Sequence, residues 1–319
     1  MDILVVGGTG HIGSYLVPRL VMGGHQVCVV ARNPAPQYTD PRLGWPSVEW
    51  MVADRRAEEA DGRWRERMDA IDADVVMDLI CYEPEQNRAM VESFEGRIRQ
   101  FIHIGTIWSY GHPGRVPYQE HYPRKPLGDY GRQKAVTEAE LIEAYQTRGF
   151  PATIVHPGHI SGRKWLPIDP QGSRNGVGVY EKLAKGETVH LPEFGRETIH
   201  HVHADDIAQL CESAMIRRES ALGESFSAVT AYAMSLVELC EFVASLFGQT
   251  AKLEFVDHER MAEIIGEAAW AATAEHITHS PCCSIEKCQR LLGYEPRYTT
   301  EQIFVECLEY LMESGELVV

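Results

Sequence analysis

Three side chains in this sequence are of the types that together can take a proton from an alcohol: a phenol, an ammonium and a hydroxyl. Tyr130-Gly-Arg-Gln-Lys134 sets the phenol and the ammonium one helical turn apart, on the same face of a helix. Thr106 comes just after Gln100 to Gly105 (Gln-Phe-Ile-His-Ile-Gly), an apolar run that reads as a strand, and so stands at that strand's carboxyl end. An unperturbed tyrosine ionises near ~10, whereas a general base works best near ~7. Closing that gap takes roughly 4 kcal/mol of preference for the phenolate. A fixed lysine charge pushes that way, and a second positive charge beside the phenol would push further. Thr106 could donate a hydrogen bond to the reacting oxygen and orient it. Taken alone, a Tyr-x-x-x-Lys pair is also an ordinary solvated helix face, so the elements that position it matter.

The opening stretch suggests where the second charge comes from. Asp2 to Val6 is a short apolar, β-branched run of the kind found in buried parallel strands. Gly7-Gly8-Thr9-Gly10-His11-Ile12-Gly13 follows at once, and Ile12, Leu16 and Leu20 then recur every fourth residue along one helical face. Strand, glycine turn and helix in this order form a dinucleotide-binding fingerprint. The glycines allow a tight turn, close approach of a pyrophosphate and close packing of helix on strand. The helix start offers unpaired N–H groups and a positive dipole end to the phosphates. An oxidised nicotinamide carries the positive ring that would favour a Tyr130 phenolate. Pro18 interrupts the helix: it leaves the Ser14 carbonyl without its donor, typically at ~3 kcal/mol, and predicts a local kink.

Strands and helices alternate through the first half of the chain. Further strands are expected at Gln26 to Ala31, Val48 to Ala53, Asp74 to Ile80, Gln100 to Gly105 and Ala152 to His156, with helices over Glu58 to Ala70, Glu85 to Glu95 and Tyr130 to Gly149. The short links argue for a right-handed, doubly wound parallel sheet, an α/β fold. Tyr110 to Gly128 and Gly162 to Gly178 are rich in Gly, Pro and polar residues and read as loops facing a ligand. Later, Ala204 to Arg217 and Ser235 to Phe247 read as helices, Glu224 to Val229 as extended, and Glu286 to Glu313 as two more helices.

Composition narrows the function. The chain has 319 residues, 44% of them hydrophobic, which favours a folded core over disorder. A formal net charge of −16 disfavours nucleic acid and anionic membrane surfaces as partners. No apolar run approaches the roughly 20 residues that span a bilayer. The first apolar run has no basic residues before it and ends early in glycines, unlike a signal peptide. Eight cysteines without a secretion signal read as reduced thiols in a cytoplasmic protein.

These motifs resemble the extended short-chain dehydrogenase/reductase family, which includes nucleotide-sugar epimerases and dehydratases. The resemblance runs over essentially the whole chain. It is carried by Gly7 to Gly13, Asp54 after the third strand, His103 to Gly111, Tyr130 to Lys134, His156-Pro157-Gly158 and His203-Ala-Asp-Asp-Ile-Ala208. It implies a Rossmann domain, residues 1–165 and 199–232, with a smaller C-terminal substrate-binding domain, residues 166–198 and 233–319. It implies that Thr106, Tyr130 and Lys134 are catalytic. The cofactor would be held by Gly7, Thr9, Gly10, His11, Ile12, Gly13, Arg32, Asp54, Ile80, Tyr130, Lys134 and Pro157, with Lys134 on the nicotinamide ribose and Asp54 near the adenine. Homodimers pairing through Glu85–Glu95 and Tyr130–Gly149 are also implied.

Three departures from the family pattern bear on specificity. The second strand ends in Ala31, where NAD-preferring members carry an Asp, and Arg32 follows; this favours NADP, with NAD as the alternative. Ile107-Trp108 replaces the Asp-Glu pair of the dehydratases, so dehydration lacks its acid and base. Ile199 stands four residues before His203, where nucleotide-sugar enzymes carry an arginine, and Arg196 is near but displaced. A small carbohydrate-like substrate is therefore expected, touched by Trp108, His159, Trp165 and Arg196. The reaction expected is hydride transfer at a secondary alcohol, as net oxidoreduction or as epimerisation, a nucleotide-sugar 4-epimerase being one alternative. A non-catalytic dinucleotide sensor or interaction protein is the other, and the retained Tyr-x-x-x-Lys pair argues against it. His200, His201 and His203 read as loop histidines that hydrogen-bond substrate or backbone rather than as ligands, and the cysteines near 282 match no Cys-x-x-Cys framework, so no metal is expected.

Overall fold

The structure, a computed structural model, describes residues 1–36, 38–112, 114–171 and 176–319. The first half runs β1 (Asp2–Val6), α1 (His11–Met22), β2 (Gln26–Ala31), β3 (Glu49–Val52), α2 (Arg55–Asp61), α3 (Arg63–Asp69), β4 (Val75–Asp78), α4 (Pro84–Phe94), β5 (Gln100–Ile104), α5 (Gly128–Arg148) and β6 (Ala152–Pro157). The second half adds β7 (His159–Ser161), α6 (Gly178–Ala184), β8 (Thr188–Pro192), β9 (Thr198–Ile199), β10 (His201–His203), α7 (Ala204–Ile216), α8 (Arg218–Ala221) and β11 (Ser225–Ala228). It ends with β12 (Met234–Ser235), α9 (Leu236–Leu246), β13 (Lys252–Val256), α10 (His258–Ile265), α11 (Glu267–His279), α12 (Glu286–Leu292) and α13 (Thr300–Glu313).

Seven strands form one parallel sheet in the order β11-β6-β5-β4-β1-β2-β3. The chain reverses its direction of travel across the sheet between β1 and β4, the switch point where such folds leave a crevice for a ligand. Strands β4, β5, β6 and β11 are buried along their whole length, as parallel strands covered on both faces are. Leu16, Leu20, Val29 and Phe226 pack on one face of the sheet, and Trp64, Met90, Phe94 and Leu141 on the other. A third cluster gathers Tyr180, Leu191, Leu239, Met261, Phe304 and Leu308 from the later segments, while Cys283, Ile285, Cys288 and Leu292 return to the first.

Several local expectations are corrected. The charged stretch expected as one helix over Glu58 to Ala70 is two helices, parted at Gly62, whose φ of 83° no helix can continue. The strands β7 to β10, β12 and β13 and the helices α6, α10 and α11 were not anticipated: most of those strands are too short to show a period, and α11 is alanine-rich with little apolar asymmetry. The stretch Gly162 to Gly178 includes residues 172–175, which lie outside the described ones. Helix α1 runs through Pro18, and the Ser14 carbonyl that Pro18 cannot serve accepts a hydrogen bond from the Thr39 hydroxyl at 2.9 Å. The Trp45 indole donates in turn to Thr39 at 3.2 Å.

Candidate active site at the carboxyl edge of the sheet

The glycine turn after β1 is a cradle that only glycines permit. A Cβ on Gly13 would sit 2.3 Å from the Gly8 carbonyl oxygen, and one on Gly7 (φ 85°) 2.5 Å from Ile80 Cγ2. Gly10 caps α1 with no side-chain hydrogen bond to that end among the described residues, so the helix start is left for an anion. A cleft of about 380 Å³ opens here, lined by Gly7, Thr9, Gly10, Arg32, Asp54 and Ile80 from the predicted set. His11, Ile12 and Gly13 lie buried in the first turn of α1 behind it. The cradle, the open helix start and the cleft fit a dinucleotide. Arg56, Trp64, Tyr82 and Gln86 also line it, and sequence reasoning missed them; Arg56, two residues after the recognised Asp54, was the nearest to being found.

Beneath the cleft lies a buried ion pair. Arg55 donates to both Asp78 oxygens at 3.0 and 2.8 Å, to Glu59 at 2.7 Å and to the Gln86 carbonyl at 3.2 Å. Burial works against the Arg55 charge, and the Asp78 and Glu59 carboxylates more than offset it, so the guanidinium is held above its usual range. The pair ties α2 to the end of β4. Asp54 spends one oxygen capping α2, accepting from the Ala57 N–H at 3.2 Å.

Helix α5 carries Tyr130 and Lys134. The Lys134 ammonium is buried and donates to the Cys81 carbonyl at 2.5 Å and the Ile104 carbonyl at 2.7 Å, at the ends of β4 and β5. Burial pushes it down from 10.5 to about 8, against the pull of Cys81 and Asp78. It lies 5.9 Å from the centre of the Tyr130 ring and 5.3 Å from that of Tyr82. Tyr130 is about half exposed, as a base that meets an incoming alcohol must be. Thr106 opens a short 3-10 turn, Ile107–Tyr110, by accepting from the Trp108 N–H at 3.3 Å. Helix α5 packs on that turn through Gly131, where a Cβ would come within 3.0 Å of the Trp108 carbonyl oxygen.

One turn beyond Lys134, Glu138 anchors the helix. Arg124 grips it twice, at 2.9 and 2.5 Å, and His156 Nε2 lies 3.4 Å away. Burial alone would raise the Glu138 carboxyl, but His156 and Arg124 hold it well below the usual range. His156 Nδ1 pairs with the Tyr110 hydroxyl at 2.7 Å, which pairs with Ser227 at 2.9 Å. This network fixes α5 against β6, where Pro157 ends the strand, buried and paired with Ala228.

On the far side of Thr106, Trp108 meets a group of imidazoles. His279 stacks on it at 4.6 Å and 12°, His276 meets it edge-on at 4.9 Å, and His159 is 6.4 Å away. Burial pushes His279 down to about 4, so its ring is neutral at physiological pH. Of the four substrate candidates, Trp108 and His159 are brought together. Trp165 instead stacks on His11 at 5.3 Å, at the start of α1, and Arg196 is exposed over Phe194. His276 and His279 were missed; three residues apart in the last turn of α11, they gave no signal without the knowledge that α11 reaches Trp108. His200 pairs with the Thr230 carbonyl at 2.9 Å, and His203 with Glu306 at 2.9 Å. Among the described residues no group of three His, Cys, Asp or Glu is placed to hold a metal ion, and no helix is long and apolar enough to cross a membrane.

A switch-point cleft behind a glycine cradle, beside a buried lysine and an open tyrosine on one helix, is the architecture of a dinucleotide-dependent oxidoreductase. The family comparison agrees. Residues 3–88 and 86–228 match the NAD dependent epimerase/dehydratase family, and the chain belongs to it. It is 23% identical to the UDP-glucose 4-epimerase of Streptococcus mutans, over 93% of this chain and 92% of that protein. It is 24% identical to the 2'-dehydrokanamycin reductase of Streptomyces kanamyceticus, over 85% of this chain and 74% of that one. Its fold matches the crystal structure of the Thermotoga maritima UDP-glucose 4-epimerase with UDP-glucose, at a TM-score of 0.74 and 21% identity, over 99% of this chain and all of that one.

Proposed function

We propose that this enzyme oxidises and reduces a secondary alcohol of a sugar or sugar-like substrate, with Tyr130 as the base. The single observation that carries this reading is the buried Lys134 ammonium beside the Tyr130 ring, at the carboxyl edge of the sheet. A bound oxidised nicotinamide supplies the acceptor for the hydride. Tyr130 takes the hydroxyl proton, the Lys134 charge favours its phenolate, and Thr106 orients the reacting oxygen. Returning the hydride to the other face of the ketone would give epimerisation, as the names of several relatives suggest. Ile107-Trp108 in the dehydratase positions argues against loss of water.

NADP is the cofactor this reading favours. Ala31 ends β2 without a carboxylate, and Arg32 and Arg56 line the cleft with no ion pair among the described residues, as a 2′-phosphate would require. The Trp108 and histidine group favours a small ring substrate. The division into residues 1–165 with 199–232, and 166–198 with 233–319, accords with the separate third cluster, although 283–292 packs back on the first. Eight free thiols suit the cytoplasm. A homodimer through α4 and α5 belongs to the same reading; Arg88 reaches across them to Glu140 at 2.5 Å, so that face is polar and its pairing should weaken with salt.

The test is Tyr130→Phe. It should leave NADP affinity nearly unchanged and lower turnover by at least about a thousandfold. Near-normal turnover would remove Tyr130 from the mechanism. Titration of the wild type with NADP and NAD settles the cofactor: Arg32→Ala should cost NADP about tenfold or more and NAD little.

A further inference from the structure

A second cleft lies away from the dinucleotide, at the opposite, amino end of the sheet. It measures about 630 Å³, within the range of small-molecule sites. Its walls come from the starts of β4 and β5, at Val75 and Gln100, and from the segment joining α7 to α8. Three of its lining residues are Arg99, Arg217 and Arg218, against one acid, Glu219. That concentration of positive charge is unusual in a chain with a net charge of −16.

Most of the described arginines are engaged by a carboxylate or a carbonyl. Arg218 is one of them: it donates to the Arg99 carbonyl at 2.7 Å and pairs with Glu219. The guanidiniums of Arg99 and Arg217 have no such partner among the described residues. The same is true of Arg32 and Arg56, and those two face the dinucleotide cleft. Two unpaired guanidiniums beside a cleft are thus found at both ends of the sheet. Arg217 passes over Gly293, where a Cβ would come 3.0 Å from its Nη2. The remaining wall mixes Gln100 and Ser220 with the apolar side chains of Met1, Val75, Met215, Leu291 and Ile216, the last 72% exposed.

We propose that this cleft is a second ligand site, for an organic anion whose carboxylate or phosphate ester meets Arg99 and Arg217 and whose apolar body lies along Ile216 and Leu291. Guanidinium forks suit both anions, and Ile216 and Leu291 beside them offer an apolar surface for the body. The site does not depend on the reaction assigned to Tyr130.

The experiment is calorimetric titration of the full chain, with its cofactor cleft saturated by NADP or NAD. The probes are decanoate and decyl phosphate, with decanol and inorganic phosphate as the chargeless and bodyless controls. Saturable binding of at least one anionic amphiphile, one per chain and at least tenfold tighter than either control, is expected; the tighter of the two identifies the head group. Arg99→Ala and Arg217→Ala should each weaken it about tenfold, and Arg290→Ala should not. Both mutated side chains are exposed, so the fold should survive their loss, which circular dichroism checks. Absence of saturable binding, decanol binding as well as decanoate, or full affinity in both arginine variants would overturn the proposal.

Discussion

Replacing Lys134 with methionine removes a charge while nearly keeping the side chain's shape, and its consequences can be worked from the structure. The ammonium lies 5.9 Å from the Tyr130 ring centre. At an effective dielectric of about 20, that separation is worth about 3 kcal/mol to a phenolate, or roughly a hundredfold in its population at neutral pH. Turnover of Lys134→Met should therefore fall by at least about a hundredfold near pH 7, and further if the lysine also holds the nicotinamide ribose. The deficit should shrink as pH approaches ~10, where a tyrosine ionises unaided.

Stability should change much less. The carbonyls of Cys81 and Ile104 lose their donor, at about 1–3 kcal/mol each. Against that, the fold no longer buries an ammonium, whose drop from 10.5 to about 8 corresponds to about 3 kcal/mol. The sign of the linkage gives an independent readout. Between about 8 and 10.5 the unfolded chain binds the proton that native Lys134 has released, so wild-type stability should rise with pH across that window. Lys134→Met should lack that rise. Rates measured from neutral to alkaline pH, with urea unfolding over the same range, make the assay. A variant with near wild-type turnover at neutral pH, or a deficit that stays constant up to pH ~10, would refute the electrostatic role.

Two structural predictions accompany it. Thr39→Val removes the hydroxyl that serves the Ser14 carbonyl opposite Pro18, and should cost about 1–3 kcal/mol in chemical denaturation, with Pro18→Ala restoring much of the loss. Arg55→Met strands the fully buried Asp78 carboxylate and should destabilise by about 3–5 kcal/mol at neutral pH, measured by urea unfolding.

The parts of this protein that were legible in its sequence are those whose physics is local. A strand, a glycine turn and a helix are consecutive in the chain, and the two residues that α5 sets on one face are only one turn apart. Continuous apolar runs announced the buried strands, and their alternation with helices announced a parallel sheet. Local reasoning failed where short segments have no period, as at β7 to β10, or where one glycine cuts a charged run, as at Gly62.

Sequence alone therefore determined the kind of protein: the doubly wound sheet, the glycine turn that opens its switch-point cleft, and a phenol, an amine and a hydroxyl near the same edge. Tertiary structure decided what those groups experience. Lys134 is desolvated because the ends of β4 and β5 close over it, and its acceptor Cys81 lies 53 residues away in the chain. Arg55 and Asp78, and Trp108 and His279, also meet only through the fold, which likewise brings Arg99 and Arg217 to one cleft. Charge burial and ring contact depend on distance in space, and the spacing of letters along a chain carries no record of that distance.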